Sequence, residues 1–342
     1  MIEAKKLPTI SILMPTLNSA KTIESSLKSI RDQDYDQSKI EILVIDGGSI
    51  DDTHIIAKKY NANIILNPKV QPECAKLEGM KYSKSKYAIF LDSDEVLANT
   101  DSISRKINIM ESQKLKFLAF GGYKKPAGYS FINDYINIFS EPFSHFMYGV
   151  ATDYRYFITS LKSKFQVQNE TDDFIAFKYS SNNMPLFDMC ASNVLNLAEY
   201  KKDNKDIIIE DIPKIFYKIT GQDKTFFVIK NDYIYHYSSD TLNKFLKKIR
   251  WRILSNIFFQ DKTGAGFSNR ENYSSNQYKK YIFMLYGFSI IAPLIESIYK
   301  SIQYKNIYLL VHLPLTLYTV YLIAYYYARH ILKMPPKLTV YG

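Results

Sequence analysis

Residues 86–97 read KYAIFLDSDEVL: an apolar run from Tyr87 to Leu91 that stops at Asp92-Ser93-Asp94. A short uninterrupted apolar run is what a parallel strand needs when both of its faces are covered. Towards the N-terminus the same signal recurs at Ile40–Ile45 and at Ile10–Met14, and Asn63–Leu66 reads as a further strand. Helical spacing fills the intervals. Ile23, Leu27 and Ile30 share one face of a helix over Ser19–Ile30, with Ser19 as its expected N-cap. Thr53–Tyr60 and Glu73–Tyr82 supply two more helices, and Ser104–Phe117 a fourth. Strands alternating with helices predict an α/β fold with a parallel, doubly wound sheet. Such a sheet binds ligands beyond the carboxyl ends of its strands, so the residues that follow each strand are the candidates for chemistry.

Three such segments are polar. Asp92 and Asp94 stand two apart on a strand-to-loop turn, where they can share a divalent cation and a ribose hydroxyl; Mg²⁺ and Mn²⁺ take few carboxylates and complete their shells with phosphate oxygens and water. An Asp-x-Asp tripeptide is common in acidic loops, and its place at a strand end is what raises its value. Asp46 ends the second strand before Gly47 and Gly48, which permit a tight turn and close ligand approach. Ser49 and Asp51 are placed to cap the next helix. Pro15-Thr16-Leu17-Asn18 follows the first strand.

SILMPTLN (11–18), EILVIDGGSIDDT (41–53) and KYAIFLDSDEVL, in this order, resemble family 2 glycosyltransferases, the inverting group with the GT-A (Rossmann-like) fold. The resemblance implies a nucleotide-sugar donor, a UDP- or GDP-sugar, whose pocket is lined by Pro15, Thr16, Asn18 and Asp46. It implies that Asp92, Ser93 and Asp94 hold the ribose and the metal-bridged diphosphate. Ala75-Lys76-Leu77-Glu78-Gly79 stands where the family often has Ala-Arg-Asn before a Gly, so Lys76 keeps the positive charge and the Asn is missing. Glu210-Asp211 looks like the family's Glu-Asp pair, whose Asp acts as general base on the acceptor; an acidic pair opening a helix is the structural alternative. His236 matches a position where a His completes the metal site. Lys247-Lys248-Ile249-Arg250-Trp251 resembles an element of membrane-bound polysaccharide synthases in which Arg faces the diphosphate and Trp the acceptor sugar; interface anchoring accounts for Trp251 equally well.

The 342 residues suit one catalytic domain of about 220–250 residues and an appendage. The expected division is 1–240 catalytic, 241–280 a basic amphipathic interface segment, and 281–342 a membrane-associated helical hairpin and tail. The net charge of +10 is uneven, with nine Lys/Arg against two Asp/Glu in residues 241–280. Apolar segments follow that block directly, which favours anionic lipid over nucleic acid as its partner; no nucleic-acid motif is present. Asn306–Ala328 is 23 residues without a charged side chain, long enough to span, and Tyr281–Ile295 is 15, which fits a span, a re-entrant segment or an interfacial one. The basic flanks Lys279, Lys280, Arg329, Lys333 and Lys337 predict a hairpin whose two ends are cytoplasmic. Without a signal-like start, the catalytic segment is expected at the cytoplasmic side of the cell membrane. Cys74 and Cys190 form no metal or disulfide pattern. The resemblance implies sugar transfer, with a divalent cation, to an acceptor hydroxyl, and the apolar C-terminal third suggests that the acceptor is lipid-linked or membrane-associated. A polyprenyl-phosphate sugar synthase and a non-catalytic sugar-nucleotide-binding protein are the alternatives.

Overall fold

The computed structural model describes residues 7–258, 275–276 and 278–336, with Glu210 described by its backbone alone. Lys337 and the part of the basic segment from 259 to 274 lie outside the described residues. In chain order the elements are β1 Ile10–Thr16, α1 Ile23–Arg31, β2 Ile40–Asp46, α2 Thr53–Lys59, β3 Asn63–Leu66, α3 Pro72–Tyr82, β4 Tyr87–Phe90, β5 Glu95–Leu97, α4 Ser102–Ser112, β6 Phe117–Leu118 and β7 Tyr123–Lys124. They continue with α5 Phe131–Phe139, α6 Pro142–Tyr148, α7 Phe157–Lys162, β8 Gln166–Glu170, β9 Phe174–Lys178, β10 Asn193–Asn196, α8 Leu197–Asp203, α9 Ile215–Thr220, β11 Thr225–Ile229 and β12 Ile234–His236. The last are α10 Leu242–Phe258, α11 Lys279–Phe288, α12 Ile291–Gln303 and α13 His312–Ile331, with 3-10 turns at Ile209–Lys214 and Ile307–Val311.

The chain forms two compact units. The first holds residues up to Lys124, Phe165–Tyr179 and Phe187–Tyr237. Its main sheet runs β3-β2-β1-β4-β10-β6. β3, β2, β1 and β4 are parallel, as their apolar runs predict, and every residue of β1 and β4 is buried. β10 enters antiparallel between β4 and β6. Val194 and Leu195 are buried between neighbouring strands, and the helix that follows begins only at Leu197. Ser19 does not cap α1 either. The helix starts four residues later, and the Ser19 hydroxyl instead meets Ser93 at 2.8 Å. Two smaller sheets, β11-β9-β8 and β5-β12-β7, complete the unit.

Lys106 of α4 and Asp232 form an ion pair at 2.6 Å with both side chains about 1% exposed, joined by Ser102 and Ser192. Removing one charge strands the other, so Lys106→Ala should destabilise the protein by about 3 kcal/mol. The midpoint and slope of urea unfolding measure this, and an unchanged midpoint would show that water reaches the site.

The second unit holds Lys125–Lys164, Ser180–Leu186 and the residues from Ser238 onward. Residues 125–164 and 180–186, inside the expected 1–240 segment, thus fold with the C-terminal helices. The aromatic stretch from Gly121 to Phe157, which lacks periodicity, contains α5 and α6. Helix α5 buries Ile132, Tyr135, Ile138 and Phe139 together with the polar Asn133 and Asn137, so its buried positions do not read as an apolar stripe. These residues share a core with Phe245, Ile249 and Leu254 of α10 and with Leu315, Leu322 and Tyr326 of α13. Ile307–Ile331 is long and apolar enough to cross a membrane, while α11 and α12 meet at a bend of 88°.

Candidate active site

The site lies in the first unit, beyond the carboxyl ends of β1, β2 and β4. The parallel register sets Thr16 beside Asp46, and the Thr16 hydroxyl donates to Asp46 Oδ1 at 3.2 Å. Asp46 Oδ2 accepts from the amides of Gly48 and Ser49, each at 2.8 Å, and lies 2.9 Å from His54 Nε2. Gly48 adopts φ +95°, where a side chain would be strained. Asn18, at φ +50°, receives the Ile50 amide on its Oδ1 and donates its own amide to Ser49, so it staples the first loop to the second. Asp51 Oδ1 accepts from the Thr53 amide, but the N-cap of α2 is Asp52, which makes no side-chain cap bond, and the Ser49 hydroxyl donates to Asp46.

Burial alone raises the pKa of Asp46, but the hydrogen bonds from Ser49, His54 and Gly48 outweigh it and hold the carboxyl below its ordinary value. Such a group stabilises the fold at pH values above its unfolded pKa of about 4. That stabilisation is lost as the pH falls through the lower, folded value. Asp46→Asn should therefore flatten the acid limb of a stability–pH curve below about pH 4, measured by urea midpoints. A limb as steep as wild type would reject the assignment.

The third loop carries Asp92-Ser93-Asp94. Lys76, buried on α3, places its ammonium 3.7 Å from Asp92 Oδ1. Burial disfavours the charge, yet the carboxylates of Asp92, Glu73 and Asp188 hold its pKa above the ordinary lysine value. β12 pairs antiparallel with β5, setting His236 opposite Glu95 and bringing its Nε2 to 3.8 Å from Asp94 Oδ2. The Asp94 carbonyl accepts from the Tyr237 amide at 2.7 Å, which fixes the loop to β12.

Glu95, Tyr123 and His54 are not among the residues expected from sequence, and Cys190 stands in no metal-ligand spacing. Glu95 is 1% exposed and accepts from the amides of Asp92 and Ala191 and from the Tyr123 hydroxyl. Burial first, then the Asp92 and Asp94 carboxylates, push its pKa well up. Tyr123 in turn stacks on His236, with ring centroids 4.5 Å apart. Ligand atoms of Asp92, Glu95 and Cys190 lie within 4.8 Å of one another. The only local hint was Glu95 beside the Asp-x-Asp; the other partners come from distant strands and loops.

Asp211 is buried in the 3-10 turn that packs against α3, the helix of Lys76. Its carboxylate binds Lys218 Nζ at 2.5 Å and accepts from the Ile208 amide at 3.3 Å. The Glu210 side chain lies outside the described residues. Pro15 is buried within β1. Arg250 and Trp251 belong to α10 of the second unit, where Arg250 Nε donates to the Tyr326 hydroxyl at 2.8 Å.

The chain is 34% identical over 94 residues to the glycosyltransferase AglE of Haloferax volcanii, covering 26% of this chain and 31% of that one. It is 33% identical over 119 residues to the Escherichia coli UDP-Glc:alpha-D-GlcNAc-diphosphoundecaprenol beta-1,3-glucosyltransferase WfaP, covering 33% and 45%. It thus spans less than half the length of these relatives. The mannosyltransferase PcManGT of Pyrobaculum calidifontis, solved with GDP-Man and Mn²⁺, superposes with a TM-score of 0.52 over 96% of this chain and 88% of that one. At 11% identity, that likeness establishes the shared fold. Residues 11–182 match the family described as Glycosyl transferase family 2, and this span, half of the chain, carries the three loops that build the site, so the protein belongs to that family.

Proposed function

We propose that the protein is an inverting glycosyltransferase that moves a sugar from a UDP- or GDP-sugar to a hydroxyl of a lipid-linked or membrane-associated acceptor in glycan assembly. The observation that carries this is the convergence of Asp94 and His236 beside the Asp92–Lys76 pair at the carboxyl edge of the sheet. Two ligand atoms 3.8 Å apart can share one cation at ligand distances of about 2.1 Å, so these residues fit a divalent ion. The mixed carboxylate–imidazole set suits Mn²⁺, and Mg²⁺ is the other candidate. When bound, such an ion neutralises charge on the departing nucleoside diphosphate. Asp46, Thr16, Asn18, Pro15 and Ser93 are assigned to the nucleotide, Asp92 to the ribose, and Lys76 to charge balance at the diphosphate. Asp211, with Glu210 beside it, is assigned to accept the proton of the attacking hydroxyl.

The acceptor assignment draws on WfaP, whose name specifies a diphosphoundecaprenol substrate, and on the apolar C-terminal helices. Arg250 and Trp251 are assigned to the acceptor or diphosphate side. We place the protein at the cell membrane with the catalytic unit cytoplasmic.

The test is to incubate the full chain with labelled UDP- and GDP-sugars and a polyprenyl-diphosphate-linked sugar, then extract the lipids. The expected result is label in a glycolipid, formed only with a divalent cation and with the anomeric configuration opposite to the donor's. Label on a polyprenyl monophosphate instead would identify a phosphate-acceptor synthase. Donor binding with neither transfer nor hydrolysis would identify a binding protein.

A further inference from the structure

Helix α12 has its polarity reversed. Its buried positions are Pro293, Ser297 and Ser301, spaced four apart, while Ile291, Leu294, Ile295, Ile298 and Ile302 are exposed at helical spacing. A helix in contact with water carries the opposite arrangement. Its one carboxylate turns inward, where Glu296 accepts from the Tyr286 hydroxyl and pairs with His145 Nε2 at 2.8 Å. Helix α11 continues the exposed apolar face: Leu285 is 73% exposed and Phe288 57%. The elbow between the two helices places Ile290, half exposed, at φ +60°. A β-branched residue rarely adopts that conformation, and this one sits at an apolar tip.

We infer that the α11–α12 elbow is a monotopic anchor, inserted into one leaflet with its tip in the acyl layer and its two ends at the headgroups, and that none of the described helices of the second unit crosses the bilayer. Helix length decides against crossing by the elbow. The arms have 10 and 13 residues, about 15 and 20 Å, against a hydrocarbon layer of about 30 Å, and the 88° bend prevents them from adding. Charge follows the same geometry. Lys279 and Lys280 open α11, and Lys300 and Lys305 close α12, so cations mark the two ends and none marks the tip. Residues 279–336 hold six Lys/Arg and the single acid Glu296, complementary to an anionic lipid surface. Helix α13 is long enough to span but packs along α10 through Leu315, Leu322 and Tyr326, and its Tyr326 hydroxyl binds Arg250. If α13 crossed, it would draw that cationic helix into hydrocarbon, which is costly. Gly287 faces Val320 so closely that no Cβ fits, which locks the elbow onto α13.

This rests on the membrane half of the function proposed above and not on sugar transfer, and vesicle binding measured without donor separates the two. Full-length protein is mixed with phosphatidylcholine vesicles containing or lacking phosphatidylglycerol, then floated. Binding should rise with the anionic lipid and survive molar salt in part. The double variant Leu285→Glu/Ile291→Glu, at exposed positions, should bind at least tenfold less with an unchanged melting temperature. Depth comes from Phe288→Trp in vesicles of brominated lipid, with the wild type supplying the Trp251 background. Bromines in the acyl chain, whether near its headgroup end or its methyl end, should quench the added fluorescence. Lys280→Cys and Lys305→Cys should each react with an impermeant maleimide added outside the vesicles, with the wild type supplying the Cys74 and Cys190 background. Reaction at one end alone would mean a broken span and overturn the inference. No quenching at either depth, or flotation unchanged in the double variant, would overturn it too. Loss of a concentration-dependent dimer in the double variant, without vesicle binding by wild type, would assign the face to a second copy of the chain.

Discussion

Asp94→Ala is expected to lower sugar transfer by about three orders of magnitude while leaving the fold intact, the scale on which a group stabilising charge in the transition state is missed. The Asp94 side chain is about one third exposed and 3.8 Å from His236, and the contact that holds the loop in place runs through its backbone carbonyl to the Tyr237 amide. Alanine keeps that backbone bond and removes only the carboxylate. Donor binding, followed by titration calorimetry with and without Mn²⁺, should lose its metal dependence in the variant. His236→Ala should reproduce part of the same loss, because it takes away one of two proposed ligands rather than the charged one. Wild-type turnover in excess chelator would reject the cation altogether. A lower melting temperature in Asp94→Ala would mean that the carboxylate is structural.

The second large effect is expected at Asp211. Removing a general base costs about two to four orders of magnitude, and Asp211→Asn keeps the shape and the acceptor for the Ile208 amide while removing basicity. The nucleotide pocket proposed above is assigned to Thr16, Asn18, Asp46 and the Asp92 loop, without Asp211, so the donor dissociation constant should barely change. A fall in kcat at constant donor affinity is the signature of a group acting only in the chemical step. The Lys218 partner supplies the control. Lys218→Met should disturb the position of Asp211 and lower kcat less than Asp211→Asn does. If Asp211→Asn turns over at the wild-type rate, no base is needed, and a phosphate acceptor, ionised already, becomes the better account.

Both experiments bear on residues whose candidacy was visible in the chain itself. β1, β2 and β4 are buried along almost their whole length, so the runs that end at Met14, Ile45 and Leu91 are apolar apart from Ser11 and Glu41, which hydrogen-bond each other. Asp46 and Asp92-Ser93-Asp94 were legible for that reason alone: a charged residue straight after a buried strand marks the carboxyl edge. The helices between them showed their inner stripes, as at Ile23, Leu27 and Ile30. These are local properties, carried within a window of a few residues.

What the chain did not disclose depends on residues far apart in sequence. The four-residue strand β10 inserts antiparallel beside β4, and nothing within Asn193–Asn196 distinguishes it from the helix that follows. Glu95 acquires its meaning from Ala191 and Tyr123, and Asp46 is held in part by His54 of α2. Helix α5 gave no clear apolar stripe because Asn133 and Asn137 are buried with its apolar residues. The reversed polarity of α12 is equally invisible in its composition: Pro293, Ser297 and Ser301 could face either way until Glu296 met His145 and Tyr286. The sequence by itself therefore determined the parallel sheet and the acidic loops at its edge, since burial on both faces dictates residue type along a continuous stretch. Only the tertiary structure decided which side chains hold those loops and which face of the C-terminal helices is left apolar and exposed, because both depend on partners that packing, not sequence proximity, brings together.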